Sequence, residues 1–392
     1  MATPAPCASC GSGETRAFYR QSRIPVQSCI LVPSREEAMR FPCGELRLSF
    51  CRRCGFIQND LFDAARLDYG RDYEETQGFS PRFREYARAL AASLAERHRL
   101  AGKEVLEIGC GKGEFLRLLC ATAGCRGVGY DPSYLPERGG EPLEGVRFVR
   151  ELYTGDTRGH DPDLILCRHT LEHIPETLEL LRSVRRTAGS REDQRVVFEV
   201  PDVLRILEEC AFWDIYYEHC SYFSLGSLAR LFRRAGFAVE RLERVYGEQY
   251  LLVEARPAGG DGCSPLPGEE EPGALEEQVD RFEEESGAMI REWEERLRED
   301  RRRGRRLALW GSGSKAAGFL TTLGAGPEVL GVVDINPHKH GKFQAGTGHE
   351  ILPPAALRQL EPDVILVMNP IYEDEIRIAC AELGVAAELL AL

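Results

Sequence analysis

The stretch EVLEIGCGKGEFL, Glu104–Leu116, constrains this chain more than any other: a short apolar run, glycines at 109, 111 and 113, and then the start of a helical pattern. A strand that passes through a glycine turn into a helix is the building unit of a parallel α/β sheet, and the glycines let backbone approach a ligand closely. The pattern recurs from Lys103 to about Pro257, where GVGYD, DLILC and VVFEV alternate with helix-like segments. The last two runs, AVERLERV and QYLLVEA, read as a closing hairpin. Asp131 ends GVGYD, placed to accept hydrogen bonds from both hydroxyls of a ribose. A side chain at Gly109 or Gly111 is expected to intrude on the space of such a ligand. By itself the glycine run suits a dinucleotide turn equally well, but Glu107 precedes it.

A chain of 392 residues exceeds one hydrophobic core, so several domains are expected. Residues 1–78 have few apolar periods and contain CASC and CRRC, the look of a small metal-held module. A helix over Pro81–Arg97 leads into the α/β unit, which runs over 79–257. Residues 258–273, rich in glycine, proline and acid, read as a linker. A charged helix follows from about Ala274 to Arg306, read as a solvated helix packing by one face. RLALWGSGSKAAGFL, VLGVVDINP and DVILVMNP then repeat the strand-turn-helix alternation, so 274–392 is expected to form a second α/β unit. The formal charge of -13 argues against binding nucleic acid or an anionic membrane, which clustered cations would be needed to hold. No apolar run approaches a bilayer span, and the first residues lack the regions of a signal peptide, so a cytoplasmic location is expected. In that setting the 14 cysteines suggest metal ligation or buried thiols instead of disulfides.

Cys7, Cys10, Cys51 and Cys54 form two CxxC pairs, each ending in a glycine turn, and four thiolates fill a tetrahedral zinc shell. Such a closed shell is structural. Cys29 and Cys43 are spare ligand candidates. The run DIYYEHCSYFS, Asp214–Ser224, is too polar for a core strand and too aromatic for an ordinary loop. Its His219 titrates near neutral pH and suits a general base, Tyr216 suits a donor to an oxyanion, and Glu218 suits a partner that orients the imidazole. His169 and His173 are four apart, as in a metal pair, but no third ligand at metal spacing accompanies them in sequence, so a donor-pocket or packing role is expected. GSGSK, ending at Lys315, is either a phosphate cradle or a plain turn of the second unit, and HKHGK, ending at Lys342, is a second anion candidate.

VLEIGCGKGEFL followed by DLILCRHTLEHIPE resembles the class I S-adenosylmethionine-dependent methyltransferases. The order of cysteine module, glycine run, Tyr-x-Glu-His and second α/β unit is similar to the bacterial three-domain C-methyltransferases, whose best-known members act on nucleotide-linked keto-deoxysugars. YGRDYEETQGFSPRF, WGSGSKAAGFL, VVDINPHKHGKFQAGTGHEILPP and MNPIYEDEI look like that family's interdomain and C-terminal signatures. Where the sugar enzymes typically carry a Gly-Gly-Ser turn, this chain reads YGEQY, Tyr246–Tyr250. The resemblance implies a class I methyltransferase α/β domain, a small N-terminal zinc-binding module and a C-terminal Rossmann-like α/β domain. It implies Glu107, Gly109, Gly111, Gly113, Asp131, Arg168 and His169 around S-adenosylmethionine and His219, Tyr216 and Glu218 at the reacting carbon, while Lys315 and Lys342 stay acceptor candidates on the strength of their own turns. The acceptor it implies is a small molecule carrying a ketone, with O- or N-methylation of another metabolite as the alternative. A donor-binding regulatory or nucleic-acid-interacting protein is the reading from a different class.

Overall fold

The computed structural model describes residues 4–392 apart from 71, 139, 157–158, 190, 192, 259–263 and 327. Part of the expected linker therefore lies outside the described residues. The chain opens with β1 (Thr15–Pro25), β2 (Cys43–Cys51) and β3 (Ile57–Asn59), an antiparallel meander. The helix Pro81–Arg97 follows, its first turn set by Pro81 and by the Ser80 hydroxyl, which accepts the Phe83 N–H at 3.1 Å.

Five parallel strands come next: β4 (Glu104–Ile108), β5 (Arg126–Tyr130), β6 (Val146–Val149), β7 (Leu164–Arg168) and β8 (Arg195–Pro201). β7 is buried along its whole length and β4 and β8 nearly so, as strands covered on both faces must be. The chain then leaves this sheet. Ser221–Tyr222, β9, pairs antiparallel with β3 and so belongs to the N-terminal sheet, whose order is β1-β2-β3-β9. β10 (Phe237–Val245) and β11 (Tyr250–Pro257) return as the expected hairpin, with β11 antiparallel to β8. Among the described residues the central sheet has seven strands in the order β10-β11-β8-β7-β4-β5-β6.

The helix Pro272–Arg302 turns Leu275, Val279, Phe282 and Ser286 inward, one face of a helical period. Beyond it lie β12 (Leu307–Trp310), β13 (Val329–Val333), β14 (Ile351–Leu352), β15 (Val364–Val367) and β16 (Glu388–Ala391), all parallel in the order β14-β13-β12-β15-β16. In each α/β sheet the chain order reverses beside its first strand, between β4 and β7 and between β12 and β15. Ligand crevices form outside the carboxyl ends at such reversals. Here both open on one cavity, with Gly109 and His169 from the first and Gly311 and Met368 from the second. One buried cluster joins the units: Phe50 of the N-terminal sheet, Trp213 and Tyr217 ahead of β9, Phe282 of the long helix, and Leu309 and Phe319 of the last unit. No helix among the described residues is long and apolar enough to cross a membrane.

Candidate active site

The shared cavity measures about 770 Å³, within the usual size of a small-molecule site. Its first half is built on the turn after β4. Glu107 is 2% exposed, and one of its carboxylate oxygens is buried without a partner. Burial lifts its pKa to about 7. Gly109, Gly111 and Gly113 have φ of 69°, 53° and 79°, the left-handed region that glycine adopts freely. A Cβ would fall 1.9 Å from the Thr170 hydroxyl at Gly109, 2.7 Å from a Glu75 oxygen at Gly111 and 2.5 Å from the Phe148 ring at Gly113. These glycines are thus required by backbone conformation and by the protein's own packing, where the sequence suggested a clash with the ligand. Asp131 accepts the Gly111 N–H at 2.8 Å and the Ser133 N–H at 2.7 Å, which fix its carboxylate at the cavity wall. Lys112, which sequence reasoning passed over, donates to the carbonyls of Tyr73 (2.9 Å) and Ser133 (3.1 Å) and ties the preceding segment over the turn.

Arg168 and His169 line the cavity, but their polar ends are engaged elsewhere. Arg168 donates to both oxygens of Glu199, at 3.1 and 3.2 Å, and lies over the Phe115 ring. His169 Nε2 stands 2.8 Å from the same carboxylate. Burial works to raise the Glu199 pKa, yet Arg168 and His169 bring it down to about 2. The two residues expected around a donor thus line the cavity with their polar ends paired to Glu199. His173 Nδ1 is 3.1 Å from both the Tyr69 hydroxyl and the Glu218 carbonyl. Folding also brings Glu172 and His219 within 4.8 Å of His173, a grouping invisible in the spacing.

The second half is built on Asp214–His219. Glu218 is 1% exposed and accepts from the Ser28 N–H (3.0 Å), the Ser28 hydroxyl and the Tyr73 hydroxyl (3.2 Å). It anchors the N-terminal segment and does not orient His219, contrary to the sequence expectation. His219 is half-buried on the cavity, edge-on to Tyr216 at 4.6 Å and His173 at 4.8 Å. Neither of its ring nitrogens has a hydrogen-bond partner among the described residues. Burial, reinforced by His173, holds its pKa well below 6.5, so the ring is neutral and able to accept a proton. The Tyr216 hydroxyl donates to Asp214, which also pairs with Arg205 and, at 2.8 Å, with Lys315. Tyr216 therefore has no free proton for an oxyanion, a second departure from expectation.

Lys315 arrives from the last unit at the start of the helix Ser314–Leu323. In the GSGSK turn the Ser312 N–H and hydroxyl donate to Asp334 at 2.9 and 2.6 Å. Lys342 does not line the cavity; Lys339 does, 3.5 Å from Asp334, because the short turn capped by Asn336 carries it inward. YGEQY closes one wall. Tyr246 stacks on Tyr250, its hydroxyl donates to Tyr372 at 2.9 Å, and Gln249 and Asn369 exchange amide hydrogen bonds, both at 2.8 Å.

Away from the cavity, Cys7, Cys10, Cys51 and Cys54 are buried with their sulfurs within 4.8 Å of one another. Cys7 to Cys54 and Cys10 to Cys51 are both 3.6 Å, close to the edge of a tetrahedron of zinc-bound sulfurs. In each pair the following glycine, at φ 74° or 75°, returns its N–H to the first cysteine's carbonyl. Cys29 lies instead on the cavity near Ser314, and Cys43 contacts the Phe41 carbonyl.

Residues 79–242 match the family described as a methyltransferase domain, and residues 267–386 the family described as a C-methyltransferase C-terminal domain. The chain is 30% identical over 346 residues to the C-methyltransferase NovU of Streptomyces niveus, covering 83% of this chain and 80% of that protein. Among solved structures it resembles a Burkholderia thailandensis 1,6-didemethyltoxoflavin N1-methyltransferase with bound S-adenosylhomocysteine (22% identity, 45% of this chain and 80% of that one, TM-score 0.35). It also resembles the magnesium protoporphyrin IX methyltransferase of Synechocystis PCC 6803 (18%, 45% and 84%, TM-score 0.36).

Proposed function

From the premise that this chain belongs to the bacterial S-adenosylmethionine-dependent C-methyltransferases, we propose that it methylates a carbon next to the ketone of a nucleotide-linked keto-deoxysugar, with His219 as general base. The observation that carries this reading is a neutral imidazole with unpartnered nitrogens, in a cavity walled by the glycine turn on one side and by the last unit on the other. A C–H carbon is no nucleophile until it is deprotonated, and an adjacent carbonyl makes that deprotonation accessible by spreading the charge onto oxygen.

Bound S-adenosylmethionine supplies an electrophilic methyl group on a sulfonium sulfur. Asp131, held by two backbone amides, is the partner for the ribose, and the unpaired oxygen of Glu107 is available to a cationic group of the donor. Glu199, Arg168 and His169 keep the floor rigid. Tyr216 holds the His219 ring by edge contact, and Tyr246, Tyr250 and Tyr372 exclude water from one side. Lys339 offers positive charge to the acceptor's phosphates from the far wall. We further propose that Cys7, Cys10, Cys51 and Cys54 hold a structural zinc, since four sulfur ligands leave no position for water.

The test is a panel of nucleotide keto-sugars incubated with donor and followed by mass. A gain of one methylene on a keto-sugar is expected. Transfer only to acceptors that lack a ketone would overturn the reading.

A further inference from the structure

Deprotonation beside a ketone leaves negative charge on the carbonyl oxygen, and an efficient site aims a donor at it. Tyr216, the obvious candidate by sequence, already donates its hydroxyl hydrogen bond to Asp214. The fold brings two cations to the same carboxylate, Arg205 and Lys315: Arg205 is shared with Glu209, whereas Lys315, 2.8 Å from Asp214, has its side chain 17% exposed on the cavity that also holds His219 and Tyr216. Asp214 is its partner among the described residues, so the ammonium keeps N–H groups for a ligand.

The placement of this lysine is electrostatically awkward. It is the second residue of its helix, where backbone N–H groups already present positive charge, and it is largely out of water. Helix packing does hold it in place: Gly318 lets the helix approach so closely that a Cβ would fall 2.7 Å from the Trp213 carbonyl, one residue before Asp214. A phosphate role suits it less well, because Lys315 is committed to the segment that carries the base.

We propose that Lys315 is a catalytic residue whose ammonium holds the acceptor's ketone oxygen as it becomes an enolate, so that the C-terminal unit completes the active site instead of only gripping the substrate. This rests on the keto-sugar reading above. The C–H proton passes to His219, the C–H electron pair forms the C=C bond, and the carbonyl π pair moves to oxygen beside Lys315. Methyl transfer then returns that pair to re-form the C=O bond while the new C–C bond forms and the C–S pair leaves with sulfur.

The experiment follows deuterium uptake at the carbon next to the ketone of a thymidine-diphosphate-linked keto-deoxyhexose, at saturating concentration, with S-adenosylhomocysteine in place of donor. Wild type should exchange, and Lys315→Met should exchange about 10²–10³-fold more slowly, the usual loss for one oxyanion donor. Its kcat should fall with little change in KM. Calorimetry with S-adenosylhomocysteine checks that the variant is folded. The double variant Lys315→Met/Asp214→Asn, which leaves no unpaired buried carboxylate, should show the same loss. Undiminished exchange by both variants beside an exchanging wild type, or a raised KM at unchanged kcat, would overturn the inference alone. Absence of exchange in wild type would overturn the keto-sugar reading and this inference with it.

Discussion

The base role proposed for His219 rests on its surroundings more than on its identity. Burial and the neighbouring His173 favour the uncharged ring, which makes its pH behaviour predictable. Because its pKa lies well below 6.5, turnover should stay level as pH falls from mildly alkaline to 6.5 and decline only below that, as the ring gains a proton. His219→Asn should keep donor affinity by calorimetry while lowering kcat by roughly 10²–10⁴. A variant with wild-type kcat would remove His219 from the mechanism. At this scale the sequence identified the residue types well and their partners poorly. The left-handed glycines after β4 were legible because a turn is a local matter. That Glu218 answers to Ser28, and Asp214 to Lys315, was not, since those meetings depend on packing between segments far apart in the chain.

Elements succeed or fail by the same distinction. The helix Pro81–Arg97 was readable from its proline start, and the hairpin β10–β11 from its two apolar runs. The run Asp214–Ser224 was singled out for its chemistry, yet nothing local announces that its end becomes β9, a strand of the N-terminal sheet. The helix Ser314–Leu323 illustrates how one element serves a distant site, for its close approach at Gly318 sets where Lys315 ends. Gly318→Val should push the helix off Trp213, destabilising the protein by about 1–3 kcal/mol as overpacking does. It should also lower turnover more than donor affinity. Thermal unfolding and kinetics together test this; lost stability with unchanged kcat would uncouple the helix from catalysis.

For the whole molecule, the architecture is two α/β sheets whose reversal points face each other across one cavity, with the cysteine module bound to the segment that bears His219. Zinc at the four cysteines is therefore expected to matter for turnover as well as for folding. About one zinc per chain should be found by metal analysis, and chelation or Cys51→Ser should lower the unfolding temperature and kcat together. Full activity in a zinc-free protein would show that β9 holds its place without the metal. The proposal sends the methyl group to the carbon beside a ketone, activated by His219. Its most direct test is nuclear magnetic resonance of the product formed from isotopically labelled donor and a nucleotide keto-sugar. A labelled methyl bonded to the carbon next to the ketone is expected, formed by wild type and not by His219→Asn; a methyl bonded to oxygen or nitrogen would refute carbon methylation.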